Sequence, residues 1–216
     1  MTDLLLKRDE PIWRAAMPWL DVRSNDEHTL ISYRLARALL RLHPDADGFV
    51  VLTALLLHDV GWKMFPEDKL AAAVGPRPKY PELQRAHELE SVCIAREAME
   101  RLGFERGAID RIIAIIDGHD TRPSALSLED GLVKDADKLW RFTAHGVDKL
   151  CDWFETPPKE TVAMLESFVL PKLVTATGRT MAQALLAERA SAAWMADALE
   201  RARRRPSCVR KQRDGA

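Results

Sequence analysis

An apolar segment of the chain ends in two adjacent ionisable side chains. The sequence ALLLHDVGWK covers residues 54–63, so four apolar residues lead directly into His58 and Asp59. A buried polar pair is costly unless a partner compensates for its lost hydration. A divalent cation would compensate, because imidazole and carboxylate groups together suit Mn, Fe, Co, Ni, Mg and Zn. The segment therefore points to metal binding.

Metal-capable side chains recur where other helices are predicted. His28 lies in the first predicted turn of one helix, His87 lies inside another, and His119 follows the end of a third. Asp135 and Asp137 occur in the helical segment VKDADKLW. A single histidine on such a helix is most often a hydrogen-bonded core or surface residue, so only the whole set indicates a metal site.

Helical periodicity dominates the chain, and the alternation typical of strands is scarce. Ser24 and Glu27 predict a capping box before the amphipathic segment LISYRLARALLRL. We expect Gly61 to end the second helix and Pro171 to kink a late one. The predicted helices cover residues 25–42, 47–59, 81–102, 108–117, 128–145, 159–175 and 180–204. These features predict an all-α fold, a compact bundle of about seven to eight helices.

Charge is unevenly distributed along the 216 residues, whose formal net charge is −1. Residues 201–216 hold seven Lys or Arg residues and one acid, which leaves residues 1–200 with a net charge of −7. An acidic body is not typical of a general nucleic-acid binder. We therefore predict a single helical domain over residues 1–204 and a basic, disordered tail over residues 205–216.

Cysteine content and the N-terminus indicate the compartment. The three cysteines form no pair with metal-ligand spacing, which fits a reducing environment. The N-terminal segment MTDLLLKRDEP has no apolar core of signal-peptide length, and no window approaches 18 uninterrupted apolar residues. We expect a cytoplasmic protein with no membrane partner.

The order His … His-Asp … Asp resembles the HD-domain superfamily of metal-dependent phosphohydrolases. The resemblance spans about Glu27 to Arg141, and its strongest local marks are LLLHDVGWK and KDADKLW. In that superfamily the last aspartate usually follows a small residue, and a basic residue can follow it. The segment Ala136-Asp137-Lys138 fits this description, so the resemblance favours Asp137 over Asp135 as the final ligand.

Two further histidines resemble those of the dinuclear members of the superfamily, in which the aspartate of the HD pair bridges two metals. By this resemblance Asp59 bridges two divalent cations per chain, which are Fe, Mn, Co, Ni or Mg. The alternative is a site for one metal, beside which His87 and His119 only form hydrogen bonds. The implied metal ligands are His28, His58, Asp59, His87, His119 and Asp137.

The resemblance leaves three activities open. A hydrolase would use metal-activated hydroxide on a phosphorylated or otherwise anionic small molecule. A mixed-valent diiron oxygenase would use the same six ligands on a phosphonate-like or polyol-like substrate. The third alternative is a non-catalytic metal- or ligand-binding protein. A chain of 216 residues without further domains favours a small substrate over a nucleic-acid polymer.

Charged residues flank the ligand motifs and indicate an anionic substrate. The predicted substrate-binding residues are Lys63, Arg122, Lys134 and Lys138. The residues predicted to surround the metal ligands are Asp120, Asp135 and Arg141. Asp120 and Asp135 are also available for acid–base chemistry. The last two predicted helices lie outside the motif region, so they either cover the site or form the face of a homodimer.

Overall fold

The computed structural model describes residues 4–204, and all regular secondary structure within them is helical, which confirms the all-α prediction. Seven of the ten α-helices in this range have ten or more residues. The predicted basic tail lies outside the described residues. The helices are α1 Glu10–Ala16, α2 Asn25–Leu42, α3 Gly48–Leu57, α4 Glu67–Leu70, α5 Glu82–Arg101, α6 Arg106–Ile116, α7 Leu128–Leu139, α8 Ala144–Phe154, α9 Pro158–Met164 and α10 Ala176–Arg204.

Helix α3 forms the centre of the core. Every residue from Val50 to Leu57 is buried, and the helix packs against α1, α2, α6 and α7. A helix that is apolar on all sides is stable only when it is surrounded, and each fully buried aliphatic side chain contributes roughly 1.5–3 kcal/mol. Asp47 caps its first turn by accepting hydrogen bonds from the amides of Phe49 and Val50. Helix α3 therefore fixes the position of the two residues that follow it, His58 and Asp59.

The capping box predicted at Ser24 is wrong. Ser24 has a left-handed backbone (φ 55°), as does Arg23 (φ 51°), and its side chain makes no capping hydrogen bond. The Ser24 hydroxyl instead accepts a hydrogen bond from the Lys149 ammonium at 2.9 Å. A left-handed residue at this point turns the chain sharply into α2, so the cap geometry that a serine hydroxyl needs is not formed.

The helix predicted over residues 128–145 is two helices. Helix α7 ends at Leu139, a 3₁₀ turn covers Trp140–Phe142, and α8 begins after Thr143. The Thr143 hydroxyl accepts a hydrogen bond from the Gly146 amide, so Thr143 is the N-cap of α8. Helix α8 itself was not predicted.

The chain irregularities near the C-terminus agree with the predicted kink. Helix α9 continues into a π-helical turn over Leu165–Val169 and a 3₁₀ turn over Leu170–Lys172, which contains Pro171. Helix α10 then includes Gly178, which the sequence interpretation had placed between helices. A Cβ on Gly178 would lie 2.3 Å from Asp135 Oδ2, so this glycine allows α10 to start against α7.

No single helix within residues 4–204 is both long and apolar enough to cross a bilayer. The segments Gly48–Met64 and Glu67–Ala73 reach that length and composition only as a pair bent by 117°. The first of them contains the buried helix α3.

Candidate metal centre

Six ionisable side chains from five parts of the fold meet in the interior. None of the six residues exposes more than 5% of its surface. The other two histidines lie elsewhere, His43 against Thr177 and His145 beside Glu27. The six are His28 in the first turn of α2, His58 and Asp59 directly after α3, His87 in α5, His119 after α6, and Asp137 in α7.

Asp59 lies between two pairs of imidazoles. Its Oδ2 atom is 3.3 Å from His28 Nε2 and 3.6 Å from His58 Nε2. Its Oδ1 atom is 3.4 Å from His87 Nε2 and 3.3 Å from His119 Nε2. Each carboxylate oxygen therefore faces a different pair, which is the arrangement that a bridging ligand requires.

The first half of the cluster contains a second carboxylate. Asp137 Oδ1 lies 3.5 Å from His28 Nε2 and 3.7 Å from His58 Nε2, and these two nitrogens are 3.2 Å apart. Two ligands roughly 2.1 Å from one cation are separated by about 3.0–3.4 Å, so this donor set fits a shared divalent ion.

The second half of the cluster has a more distant carboxylate. His87 Nε2 and His119 Nε2 are 3.3 Å apart, and Asp120 Oδ2 lies 4.0 and 3.9 Å from them. These three residues form one of the groups whose donor atoms are close enough to hold a metal ion. The sequence predicted Asp120 only as a residue around the metal ligands. The structure places its carboxylate close enough to the donors to be a ligand itself.

The Nδ1 atoms of the four imidazoles lie beside backbone carbonyls or a hydroxyl group, not beside the carboxylates. His58 Nδ1 lies 2.7 Å from the Leu55 carbonyl, and His119 Nδ1 lies 2.9 Å from the Ile116 carbonyl. Hydrogen bonds of this kind keep the proton on Nδ1 and leave Nε2 free to bind a metal. The same atom of His87 faces the Leu83 carbonyl at 3.3 Å, and that of His28 faces the Ser32 hydroxyl at 3.5 Å.

The carboxylates favour positive charge in the space between them. Burial alone would raise the pKa of Asp59, but the charge of His58 and hydrogen bonds from the other imidazoles hold it well below its usual range. Burial would likewise raise the pKa of Asp137, but Arg141 and Lys138 hold it well below the usual value. Burial lowers the pKa of His119, yet the hydrogen bond with Asp59 and the charge of Asp120 raise it to about 9. A proton or a metal cation would satisfy this charge.

Gly61 brings the residues after α3 against α5. A Cβ at this position would lie 2.1 Å from the His87 carbonyl oxygen, and the Gly61 amide donates to the Ser91 hydroxyl at 2.9 Å. Gly61 does not have a positive φ. Its role is therefore close packing between the Asp59 corner and the helix that carries His87, rather than the turn that the sequence suggested.

Glu88, which sequence reasoning missed, connects the two histidines of the second half. This buried carboxylate accepts hydrogen bonds from the amides of Asp120 and Thr121 at 2.9 and 2.8 Å, and from the Thr121 hydroxyl at 2.6 Å. It also forms an ion pair with Arg85 at 2.7 Å. Its only signal in the sequence is its place next to His87.

Three of the cations predicted to bind substrate have structural partners. Lys134 donates to the carbonyls of Gly118, His119 and Arg122 at 2.7–3.0 Å, which uses all three of its ammonium protons. Arg122 forms an ion pair with Asp130 at 2.8 Å, and Lys63 forms one with Asp21 at 2.6 Å. These partners give Lys63, Arg122 and Lys134 structural roles, and substrate binding by the three residues stays a prediction.

Asp135 faces away from the cluster. Its carboxylate accepts hydrogen bonds from the Val174 amide at 2.6 Å, the Thr175 amide at 2.9 Å and the Thr175 hydroxyl at 2.6 Å. The side chain therefore joins α7 to the start of α10. The structure brings Asp137, and not Asp135, to the imidazoles.

The remaining predicted cations line a cavity beside the cluster. Lys138 Nζ is 3.4 Å from Asp137 Oδ2 and 3.9 Å from Asp120 Oδ1, and Arg141 donates to the Asp137 carbonyl at 2.9 Å. Asp120, Lys138 and Arg141 line a cavity of about 290 Å³. Two further cations in its wall were missed because they lie outside the ligand motifs, namely Arg23 and Lys172.

The HD domain family model matches residues 25–141, which is more than half of the chain. The chain therefore belongs to the HD domain family, as its sequence predicts. The matched range contains all six clustered donors, and the family is typically one of metal-dependent phosphohydrolases. No curated protein and no solved structure matches the chain.

Proposed function

We propose that the chain is a hydrolase that acts on a small phosphorylated or otherwise anionic substrate with the help of two divalent cations. The observation that carries this proposal is the position of Asp59, whose two oxygens face separate imidazole pairs at 3.3–3.6 Å. A cavity with a cationic wall lies next to this arrangement. Together they provide metal sites and a place for an anion.

The donors divide into two sets. His28, His58, Asp137 and one oxygen of Asp59 would hold one cation. His87, His119 and the other oxygen of Asp59 would hold the second, with Asp120 beside them. When bound, such a pair polarises a phosphoryl oxygen and lowers the pKa of a water molecule to near neutrality.

The residues of the cavity would bind and orient the anion. Lys138 and Arg141 present positive charge directly beside the donors, where hydrogen bonds to an anionic group are strong because the surroundings are partly desolvated. Asp120 faces the same cavity. Burial and the charge of Asp137 would raise its pKa, but His119 and Lys138 lower it overall. These charges favour the ionised form of the Asp120 carboxylate, which accepts hydrogen bonds.

A diiron oxygenase is the second candidate, and the aromatic surroundings of the imidazoles favour it. Trp62 stacks on His87 with ring centroids 3.9 Å apart, and Trp140 meets His28 edge-on at 4.9 Å. Such walls exclude water, which protects oxygen chemistry from side reactions. Four imidazoles and two carboxylates also suit iron. A non-catalytic metal-binding protein is the third candidate.

Metal analysis together with activity distinguishes these candidates. For a hydrolase, we expect Mn, Co or Ni to restore phosphate release from a panel of phosphomonoesters after chelation. For an oxygenase, we expect two irons per chain in anaerobically purified protein and oxygen uptake with a substrate. If His58→Ala loses metal but the unaltered protein turns over no substrate with any metal, the binding protein is favoured and the hydrolase is excluded.

A further inference from the structure

The cavity beside the donor cluster is lined by two chemically different kinds of residue. Four of them are cations, which are Arg23, Lys138, Arg141 and Lys172. Four others are apolar and largely aromatic, which are Trp153, Phe154, Met164 and Phe168. A site for a fully hydrated anion such as inorganic phosphate has no use for the apolar residues.

Two aromatic rings hold the Arg23 side chain at the cavity. The Arg23 guanidinium lies 4.9 Å from the centroid of Trp62 and 4.7 Å from that of Trp153, which holds it in place. It donates one hydrogen bond to the Leu70 carbonyl at 3.0 Å, but its buried Nε atom has no partner. The guanidinium places a positive charge at the cavity, where it attracts an anionic group.

The aromatic residues of the cavity wall come from the end of α8 and from an irregular turn further along the chain. Trp153 and Phe154 come from the end of α8, and Phe168 comes from the π-helical turn Leu165–Val169. A π-turn rotates the following side chains relative to a regular helix, and such turns occur frequently at functional sites. The ammonium group of Lys172 lies 3.4 Å from the Phe168 centroid, so cationic and aromatic residues are in direct contact in the cavity wall.

We propose that the substrate is an amphipathic anion, in which a phosphate group binds among Lys138, Arg141 and Arg23 and an apolar group of about one ring packs against Trp153, Phe154 and Phe168. The volume of about 290 Å³ is at the lower end of small-molecule sites and accommodates both parts. The inference rests on the proposed function, since it names the substrate class of the same site. The proposed substrate class excludes phosphate esters in which the group bonded to the phosphate is small and polar.

Binding of two unreactive anions tests the proposal without turnover. Phenylphosphonate and methylphosphonate carry the same charged group and differ in the apolar part. We expect phenylphosphonate to bind at least about tenfold more tightly by calorimetry, because burial of a ring contributes that much affinity. The measurement is made on the full chain with Mn²⁺ and after chelation. Equal affinities would overturn the proposal.

A matched pair of variants locates the apolar contact. Phe168→Leu removes a ring from the cavity wall, whereas Phe104→Leu removes a partly buried ring that packs against Phe49 outside the cavity. We expect Phe168→Leu to weaken phenylphosphonate binding by roughly threefold to tenfold and methylphosphonate binding by less than about twofold. Phe104→Leu should change neither. If both variants have the same effect, the apolar group does not bind at Phe168 and the proposal is wrong.

Hydrolysis assays keep this proposal separate from the proposed function. With Mn²⁺ present, phenyl phosphate should be hydrolysed faster than glycerol phosphate at limiting concentration. Tight phenylphosphonate binding without hydrolysis of any ester would contradict the hydrolase and support the ligand class. Hydrolysis of both esters at the same rate, with equal phosphonate affinities, would support the hydrolase and contradict the ligand class.

Discussion

At the scale of single residues, the proposed pair of cations depends on the two histidines that extend the four-residue HD motif. His87 and His119 lie 3.3–3.4 Å from the Oδ1 atom of Asp59, whereas His28 and His58 lie 3.3–3.6 Å from Oδ2. Removing an imidazole from one half therefore leaves the other half with its full set of donors. The metal content of variants measures the two halves separately.

His87→Ala should lower the metal content from two ions per chain to one. The change removes one of two imidazoles in its half and leaves Asp137, His28 and His58 in place. Elemental analysis after dialysis against Mn²⁺ gives the ratio. The control is His43→Ala, whose imidazole lies 2.6 Å from the Thr177 hydroxyl and away from the cluster. An unchanged ratio in His87→Ala would contradict the dinuclear site.

The two aspartates of the segment KDADK should respond differently to loss of charge. Asp137→Asn should reduce metal affinity by at least about 10- to 100-fold, since loss of a ligating carboxylate costs no less than loss of a group that only orients a ligand. Asp135→Asn should leave metal content unchanged but reduce the free energy of unfolding by about 1–3 kcal/mol, because an amide cannot accept all the hydrogen bonds from Val174 and Thr175. Denaturant unfolding and elemental analysis measure both effects. The opposite assignment of the two effects would mean that Asp135 is the ligand.

At the scale of helices, the position of the α3 corner against α5 decides whether the two halves of the cluster meet. Gly61→Ala should reduce metal content and lower the free energy of unfolding by at least about 2 kcal/mol, because the new Cβ would lie 2.1 Å from backbone atoms of α5. Gly107→Ala is the matched control, since a Cβ in α6 at that position meets nothing within 4 Å. It should be neutral or stabilise the helix by roughly 0.5–1 kcal/mol. Wild-type metal content in Gly61→Ala would exclude this packing role.

Helix prediction succeeded where a periodic apolar pattern runs between clear breaks. Helices α2, α3, α5, α6 and α7 were expected within a few residues of their ends, except for the early end of α7. The first turn of α8 was joined to α7 because HGVDKLCDWF follows without proline, and only the cap at Thr143 separates them. Ser24 was misinterpreted because its left-handed backbone depends on packing that a local pattern does not contain.

The site was predictable to the extent that its residues lie in ordered motifs. The six donors follow the family order, and the structure brings their side chains together, while metal binding itself stays a prediction. The cationic wall was only half predicted, because Arg23 and Lys172 approach the cavity from segments outside the motifs. The three carbonyls bound by Lys134 were not predicted, because a lysine buried under carbonyls has the same sequence signal as one that faces a ligand.

At the scale of the whole molecule, one core joins helices from α1 to α10, since Ile12 and Ala182 belong to the same buried cluster. The apolar side chains of Trp194, Met195 and Leu199 are exposed on α10. Exposed apolar side chains of this kind are compatible with a contact between two copies of the chain. The homodimer stays a prediction, and measurement of molecular mass in solution would test it. The segment after α8 contributes Met164 and Phe168 to the cavity wall, whereas none of the described residues of α10 lines this cavity.

Metal loading should stabilise the whole domain, and the gain should increase with pH. At 100 times the dissociation constant, a bound ligand contributes about 2.7 kcal/mol. In the metal-free protein the pKa of His119 is raised to about 9, whereas the pKa of an unfolded histidine is near 6.5. Protonation of His119 therefore stabilises the folded state fully below pH 6.5, and this stabilisation is lost as the pH rises to 9. A metal must displace that proton, so the shift in melting temperature with Mn²⁺ should be larger at pH 8.5 than at pH 6.5. A shift independent of pH would mean that no such proton is released.

The distribution of the donors over five elements has a consequence for local opening of the chain. Residues 28 to 137 supply every donor, whereas α9 and α10 supply none. Opening of α2, α3, α5 or α7 would break the ligand set, so bound metal must raise the free energy of those openings together. In deuterium exchange followed by mass spectrometry, peptides from these four helices should slow in parallel on metal loading, while peptides from residues 185–200 should exchange at the same rate with and without metal.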